Sequence, residues 1–290
     1  MDTNGILTGS DAIVIGSDEH KELFCRAFID THDPYDPHAM DWPVVDPDAL
    51  SRLRAMPFWG EAISTERDVA KKVQALAPLE PDPLMREAIS LQGYEEGRHA
   101  ALLDEMLRHY DIPMPRLNEN PQRGDPLWNF MRVGYGECFD SFFAFGLYSL
   151  ARESGLFPPA LLKTVEPIVQ EEARHILFFV NWIAYCRARQ PAAQRLVHRG
   201  RCVLAMTMQV WTRVKTAVAA ARGGGDGPET GEEDDFMLGV KDSLEVVSSP
   251  RQFLEVCLRE NDRRLGPYDP RLLRPTFVPA IARTLSRVLK

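Results

Sequence analysis

The chain has 290 residues, 44% of them hydrophobic, and a net charge of −8. That is enough apolar material for a well-filled core in one elaborated domain or two, and the acidic balance with no long basic run argues against unaided nucleic-acid binding. The five cysteines form no CxxC, the amino terminus lacks a charged-then-apolar leader, and no apolar run approaches the ~18 residues of a membrane span, so a reduced, cytoplasmic chain off the membrane is expected.

Residues 1–54 read as an amino-terminal arm. Stretches such as Asp33-Pro34-Tyr35-Asp36-Pro37 favour extended or turn backbone, with a short helix around 18–30. Four long helices follow, at about 58–77, 83–110, 126–153 and 159–188. Pro83 falls in the first turn of the second, and Asp125-Pro126 supplies a cap and a first-turn proline for the third. Between them, 111–125 carries Pro113, Pro115 and Pro121 and reads as a long connection. A fifth helix at 192–222 completes a helical domain over 55–222. The Gly-rich, acidic stretch 223–235 is expected to be a flexible linker. Residues 236–290 are expected to form a helical extension, with helices at 236–247, 250–264 and 275–289 and a Ser249-Pro250 start for the middle one. The fold class is all-α.

Two of the long helices repeat one phrase. Tyr94-Glu95-Glu96-Gly97-Arg98-His99 and Gln170-Glu171-Glu172-Ala173-Arg174-His175 share Glu-Glu-x-Arg-His. Residues three apart lie on one helix face, so each phrase aims a carboxylate and an imidazole at one point. The stripes through them are otherwise mostly apolar: Ile89, Leu103 and Met106 in one, Val165, Ile168, Phe179 and Trp182 in the other. The first and third long helices each place one acid, Glu66 or Glu137, in the middle of a largely apolar seam. Four carboxylates buried together repel, and divalent cations are the physical remedy. Oxygen and imidazole donors suit iron and manganese, and the absence of cysteine argues against structural zinc.

This order, Glu, Glu-x-x-His, Glu, Glu-x-x-His, resembles the ferritin-like di-iron carboxylate superfamily. In its extended Glu-Glu-x-Arg-His form it is most similar to acyl-carrier-protein desaturases and bacterial multicomponent monooxygenases. The resemblance covers about residues 55–190. It implies a ferritin-like four-helix bundle, with an amino-terminal arm and extra carboxy-terminal helices, in which 111–125 is the long crossover. The implied metal ligands are Glu66, Glu96, His99, Glu137, Glu172 and His175, holding two iron ions, with manganese as a single or mixed substitute. Glu95 and Glu171 would then hydrogen-bond the ligand imidazoles. Arg98 and Arg174 would pair with those acids, or form ordinary i,i+3 ion pairs at the surface.

Asp140 sits three residues after Glu137 and is open to three readings: a proton relay, an acid paired with an arginine, or a substitute ligand. His109 and His198 lie off the seams and read as surface or helix-end histidines. Phe139, Phe142, Phe143 and Phe145 could line an apolar pocket beside the metals, with Gly134, Gly136 and Gly146 leaving room, or could be core filler.

The activity implied is an O₂-dependent oxidase or oxygenase (hydroxylation, desaturation or N-oxygenation) on a small, apolar organic molecule. Electrons would come from a separate ferredoxin or reductase, since no flavin, nucleotide or Cys-cluster motif is present. Leu103 stands where radical subunits of ribonucleotide reductases usually carry tyrosine, which counts against that role. An iron-handling ferroxidase, a manganese-type redox protein and a non-catalytic metal-binding bundle are the alternatives. The basic residues Arg187, Arg189, Arg195, Arg199 and Arg201 could meet an acidic carrier protein or form a solvated face, and a homodimer is possible.

Overall fold

Aspartate–proline pairs begin three of the helices. Asp46, Asp82 and Asp125 each accept backbone N–H bonds from the first turn, and each is followed by a proline whose missing N–H costs the helix nothing there. The computed structural model describes residues 13–56, 59–113, 123–221 and 249–289, in 216–221 the backbone alone. Among the described residues there are nine α-helices and no strand. They are α1 (Asp18–Ile29), α2 (Pro47–Ala55), α3 (Trp59–Leu76), α4 (Pro83–His109), α5 (Pro126–Ser154), α6 (Pro159–Arg189), α7 (Ala192–Ala221), α8 (Pro250–Leu265) and α9 (Phe277–Val288).

The apolar seams of α3, α4, α5 and α6 meet. Helix α3 packs on α4, α4 on α6, α6 on α5, and α5 on α3, so the four close a circuit round a shared interior. At one end that interior is aromatic, with Phe130, Phe178, Phe179 and Trp182 joined by Phe24 and Phe28 of α1. At the other it is more aliphatic, with Met106, Leu147 and Leu161 joined by Leu53 of α2 and Phe253 of α8. Gly134 and Gly146 of α5 permit two close approaches. A Cβ on Gly134 would lie 2.1 Å from the Phe179 ring, and one on Gly146 would lie 2.3 Å from Cys257 Sγ.

The outer helices cover this circuit. Helix α1 lies on α4 and α6, α7 on α5 and α6, and α8 on α5, with α9 on α8. A buried polar clasp ties α1 and the α8–α9 connection to α6: His20 bonds Asn181 Oδ1 at 3.1 Å, and Asn181 exchanges bonds with Leu273 O and N at 3.0 and 2.9 Å.

Helix boundaries agree with the sequence reading to within two residues for every long element. Helix α2 was not anticipated, because Pro- and Asp-rich composition reads as extended chain. The linker at 223–235 and the helix at 236–247 lie outside the described residues, as does most of the 111–125 connection. Among the described residues no helix is long and apolar enough to cross a membrane.

Candidate metal centre

Two adjacent turns of α4 and α6 put glutamate and histidine on the inward stripe. His99 and His175 are both fully buried, and their rings stack with centroids 5.5 Å apart. Both Nδ1 atoms face the same cluster of carboxylates. His99 Nδ1 lies 3.3 Å from Glu66, 3.6 Å from Glu96 and 3.4 Å from Glu172. His175 Nδ1 lies 2.9 Å from Glu96 and 3.7 Å from Glu172. Donor atoms of Glu66, Glu96, His99 and Glu172 all fall within 4.8 Å of one another, and so do those of Glu96, Glu137 and His175. Either group could hold a metal ion, and Glu96 belongs to both. The structure thus brings all six expected side chains to one focus, one acid each from α3 and α5 and a Glu–His pair each from α4 and α6.

The opposite edges of the two rings are held crosswise. His99 donates its Nε2–H to Glu171 of α6 at 2.8 Å, and His175 donates its Nε2–H to Glu95 of α4 at 2.9 Å. Arg98 donates to Glu171, and Arg174 donates to Glu95 at 3.0 Å and to Phe28 O at 2.7 Å. Both arginines are buried, at 4% and 3% exposure, so the surface-pair reading of them is corrected. The i,i+3 distances within each helix are 3.9 and 4.0 Å, longer than the cross-helix bonds. His32 from the segment before α2 adds a further bond to Glu95 at 2.5 Å.

These outer bonds hold each imidazole with its Nε2–H outward and Nδ1 toward the cluster, where loss of the Nδ1 proton would leave a lone pair facing inward. Ser141 donates to Glu172 at 2.9 Å, and Gln92 donates to Glu137 at 3.3 Å. Glu96 Oε1 and His175 Nδ1 face each other 2.9 Å apart, and no other hydrogen-bond partner serves either atom.

The electrostatics show a strained set of charges. Burial pushes the Glu66 carboxyl up to about 8 against the pull of His99, and burial with the Glu96 and Glu172 charges pushes Glu137 well above the ordinary 4.5. Burial opposes ionisation of Glu96 too, but His175 and His99 outweigh it and hold that carboxyl far below its usual range. Burial favours neutral rings, yet the surrounding carboxylates keep both imidazoles well above 6.5. Protons occupy positions that a cation would neutralise directly.

Against the acids lies an apolar cavity of about 310 Å³ between α2, α3, α4, α5 and α6. Glu66, Glu96, Glu137 and Glu172 form part of its wall, and Leu103, Ala144, Leu147, Leu161, Val165 and Ile168 much of the rest. Its polar lining beyond those acids is Thr65, Asp140, Ser141 and Tyr148. Along α5 it runs from Val133 to Ala151, ~27 Å of helix.

None of the four phenylalanines lines this cavity. Phe142 and Phe145 are buried in the two core clusters, Phe143 stacks on Phe253 of α8, and Phe139 meets Phe277 of α9. The face of α5 toward the cavity carries small residues instead, including Gly136, Ser141 and Ala144. Of the glycines thought to leave room, Gly136 borders the cavity, whereas Gly134 and Gly146 are filled by Phe179 and Cys257. Asp140 borders the cavity and accepts from Arg213 of α7 at 2.5 and 3.2 Å, so it is an arginine-paired acid outside both donor groups. His198 of α7 is buried, 3.4 Å from Gln190, and is not a surface residue.

No protein-family model matches the chain, and no curated protein matches it.

Proposed function

We propose that the chain is a ferritin-like di-iron protein that uses O₂ to oxidise or oxygenate an apolar organic molecule. The observation that carries this reading is the pairing of a buried four-carboxylate, two-imidazole cluster with an apolar cavity that opens on it. The donor set fits the group: six side chains offering oxygen or nitrogen without sulfur, gathered in two overlapping groups whose donor atoms lie within 4.8 Å of one another, and two carboxyls that burial holds protonated. Glu66, His99 and Glu172 would hold one ion, Glu137 and His175 the other, with Glu96 shared. Iron is favoured by the chemistry, and manganese, alone or mixed, suits the same donors.

Bound there, a reduced metal pair supplies O₂ activation, and the protein's own share is placement and exclusion. Glu171 and Glu95 keep the Nδ1 lone pairs inward. Ser141 steadies Glu172, and Gln92 steadies Glu137. The aliphatic wall excludes water and holds a substrate against the carboxylates by burial and shape. Asp140, pinned by Arg213, is the charged group on that wall apart from the cluster, and suits a polar end of the substrate or a proton's passage. Electrons would come from a separate ferredoxin or reductase. The size of the cavity beside the cluster favours an oxidase over a ferroxidase, which needs room for ions alone.

Filling the cavity while sparing the donors tests the reading. Wild-type protein loaded with iron should consume O₂ with a chemical reductant and an apolar substrate. Ala144→Phe should bind the same amount of iron and lose at least tenfold of the substrate-dependent uptake. Unchanged substrate turnover in Ala144→Phe would remove the cavity from the reaction.

A further inference from the structure

The corner where α6 turns into α7 gathers positive charge on an acidic chain. Arg187 near the end of α6 and Arg195 and Arg199 in the first turns of α7 line one open groove, with Ala188 and Leu196 between them. All three arginines are exposed, and among the described residues no carboxylate lies within ion-pair distance of them. At the edges of the corner, Arg189 reaches Asp18 at 3.5 Å and Arg201 reaches Asp125 at 3.9 Å. No Asp or Glu occurs in residues 173–221, although the chain as a whole carries −8. Helix α7 ends at Ala221, ~33 Å of helix from Arg199, so the acidic sequence from Asp226 onward does not begin beside the corner.

An acidic protein is therefore repelled by the chain at large and attracted by this corner, which selects one docking orientation. Leu196, 72% exposed, adds an apolar contact among the arginines, the make-up of a small transient interface. What lies beneath the corner says which acidic protein it suits. None of the groove residues lines the cavity, and Arg187 lies ~22 Å along α6 from Glu172, so a partner there is poorly placed to hand over substrate.

The corner does sit at the end of a row of rings that starts at the metal centre. Ring centroids are 5.8 Å apart from His175 to Phe28, 5.1 Å from Phe28 to Phe178, 5.6 Å from Phe178 to Phe24 and 5.8 Å from Phe24 to Tyr185. The Arg189 guanidinium lies 5.5 Å from the Tyr185 ring. The three phenylalanines are buried, so the row is close-packed and holds no water. Tyr185 lies ~15 Å along α6 from His175, a span that an electron crosses through packed matter without any bond being made or broken.

We propose that the α6–α7 corner docks an acidic one-electron carrier protein, and that its electron enters at Tyr185 and reaches the centre along this row. The proposal rests on the di-iron reading above and names the partner of that centre. At each encounter the carrier loses one electron and a ferric ion of the centre gains it, with no group transferred.

Binding to the full chain is measured first on metal-free protein, with a plant-type [2Fe–2S] ferredoxin, an acidic carrier, as the probe. Wild-type protein should bind it with a Kd of about 1–100 µM at low salt, weakened at least tenfold at about 0.3 M salt. Arg187→Glu with Arg195→Glu and Arg199→Glu should weaken binding at least tenfold with helical circular dichroism unchanged, because all three side chains face solvent. If that variant does not fold, Arg195→Glu alone decides, with binding weakened at least threefold. In iron-loaded protein the triple substitution should slow reduction by ferredoxin at least tenfold and leave reduction by dithionite unchanged. Tyr185→Leu should bind ferredoxin as wild type does and be reduced by it at least threefold more slowly; a rate equal to wild type overturns the path. Wild-type protein that binds no ferredoxin at low salt overturns the docking site. So does binding that charge reversal leaves intact, or a preference of the same arginines for an acyl-carrier protein or a DNA duplex. Charge-dependent ferredoxin binding by a chain that retains no iron would support the docking surface and overturn the di-iron reading instead.

Discussion

Each histidine of the centre is specified at two edges, and the inner edge makes the metal-free protein sensitive to pH. Glu66, Glu137, His99 and His175 all have folded pKa values raised above their unfolded ones. Between about pH 5 and 8 the folded chain therefore binds more protons at these four groups than the unfolded chain does, which lowers its stability as pH rises, against a smaller opposite contribution from His20 and His198, whose pKa values burial lowers. Glu96 shifts the other way, but far below this window, so it adds no slope there. The midpoint of thermal unfolding of metal-free protein should drop from pH 5 to pH 8, and saturating Fe(II) or Mn(II) should flatten or reverse that trend. A metal-free midpoint that rises over the same range would contradict the charge arrangement. At the outer edge, Glu171→Gln should weaken metal binding by roughly 10–100-fold while sparing stoichiometry at saturation, read by competition with a chelating dye. The repeated Glu-Glu-x-Arg-His made the inward donors legible, because i,i+3 spacing is a local property of a helix. Which outer acid serves which ring was not legible. Glu95 and His99 share a helix, yet Glu95 bonds His175, and that crossing is set by how α4 meets α6.

Element starts were readable wherever the capping chemistry is local. Asp125-Pro126 and Ser249-Pro250 begin α5 and α8 as expected. Asp46-Pro47 carries the same signal for α2, and its proline-rich surroundings hid it. The faces of α5 were the harder problem. Its many aromatics suggested a pocket, but an aromatic ring fills space, and the cavity forms along the side of α5 that is poorest in large residues. Helix α5 is apolar nearly all round, since α3, α6, α7 and α8 cover it from several sides, so its periodicity could not say which face meets which neighbour. The glycines locate the tight contacts. Gly134→Ala would place a methyl 2.1 Å from the Phe179 ring and should destabilise the chain by about 1–3 kcal/mol in urea unfolding. A cost below about 0.5 kcal/mol would mean that α5 and α6 are not so closely apposed.

For the molecule as a whole, one element of construction explains the rest: acids too crowded to coexist in an apolar interior without a counter-charge. Four helices each lend a carboxylate, an outer layer of Glu95, Glu171, Arg98 and Arg174 balances its own charge, and a cavity of about 310 Å³ lies beside the cluster. The most direct measurement is anaerobic titration of metal-free protein with Fe(II) and with Mn(II), read by elemental analysis after desalting. About two ions per chain should be retained by wild-type protein, and none at stoichiometric strength by Glu96→Ala or His175→Ala. Wild-type protein that retains no ion, or variants that retain the full complement, would contradict a centre built from these six residues.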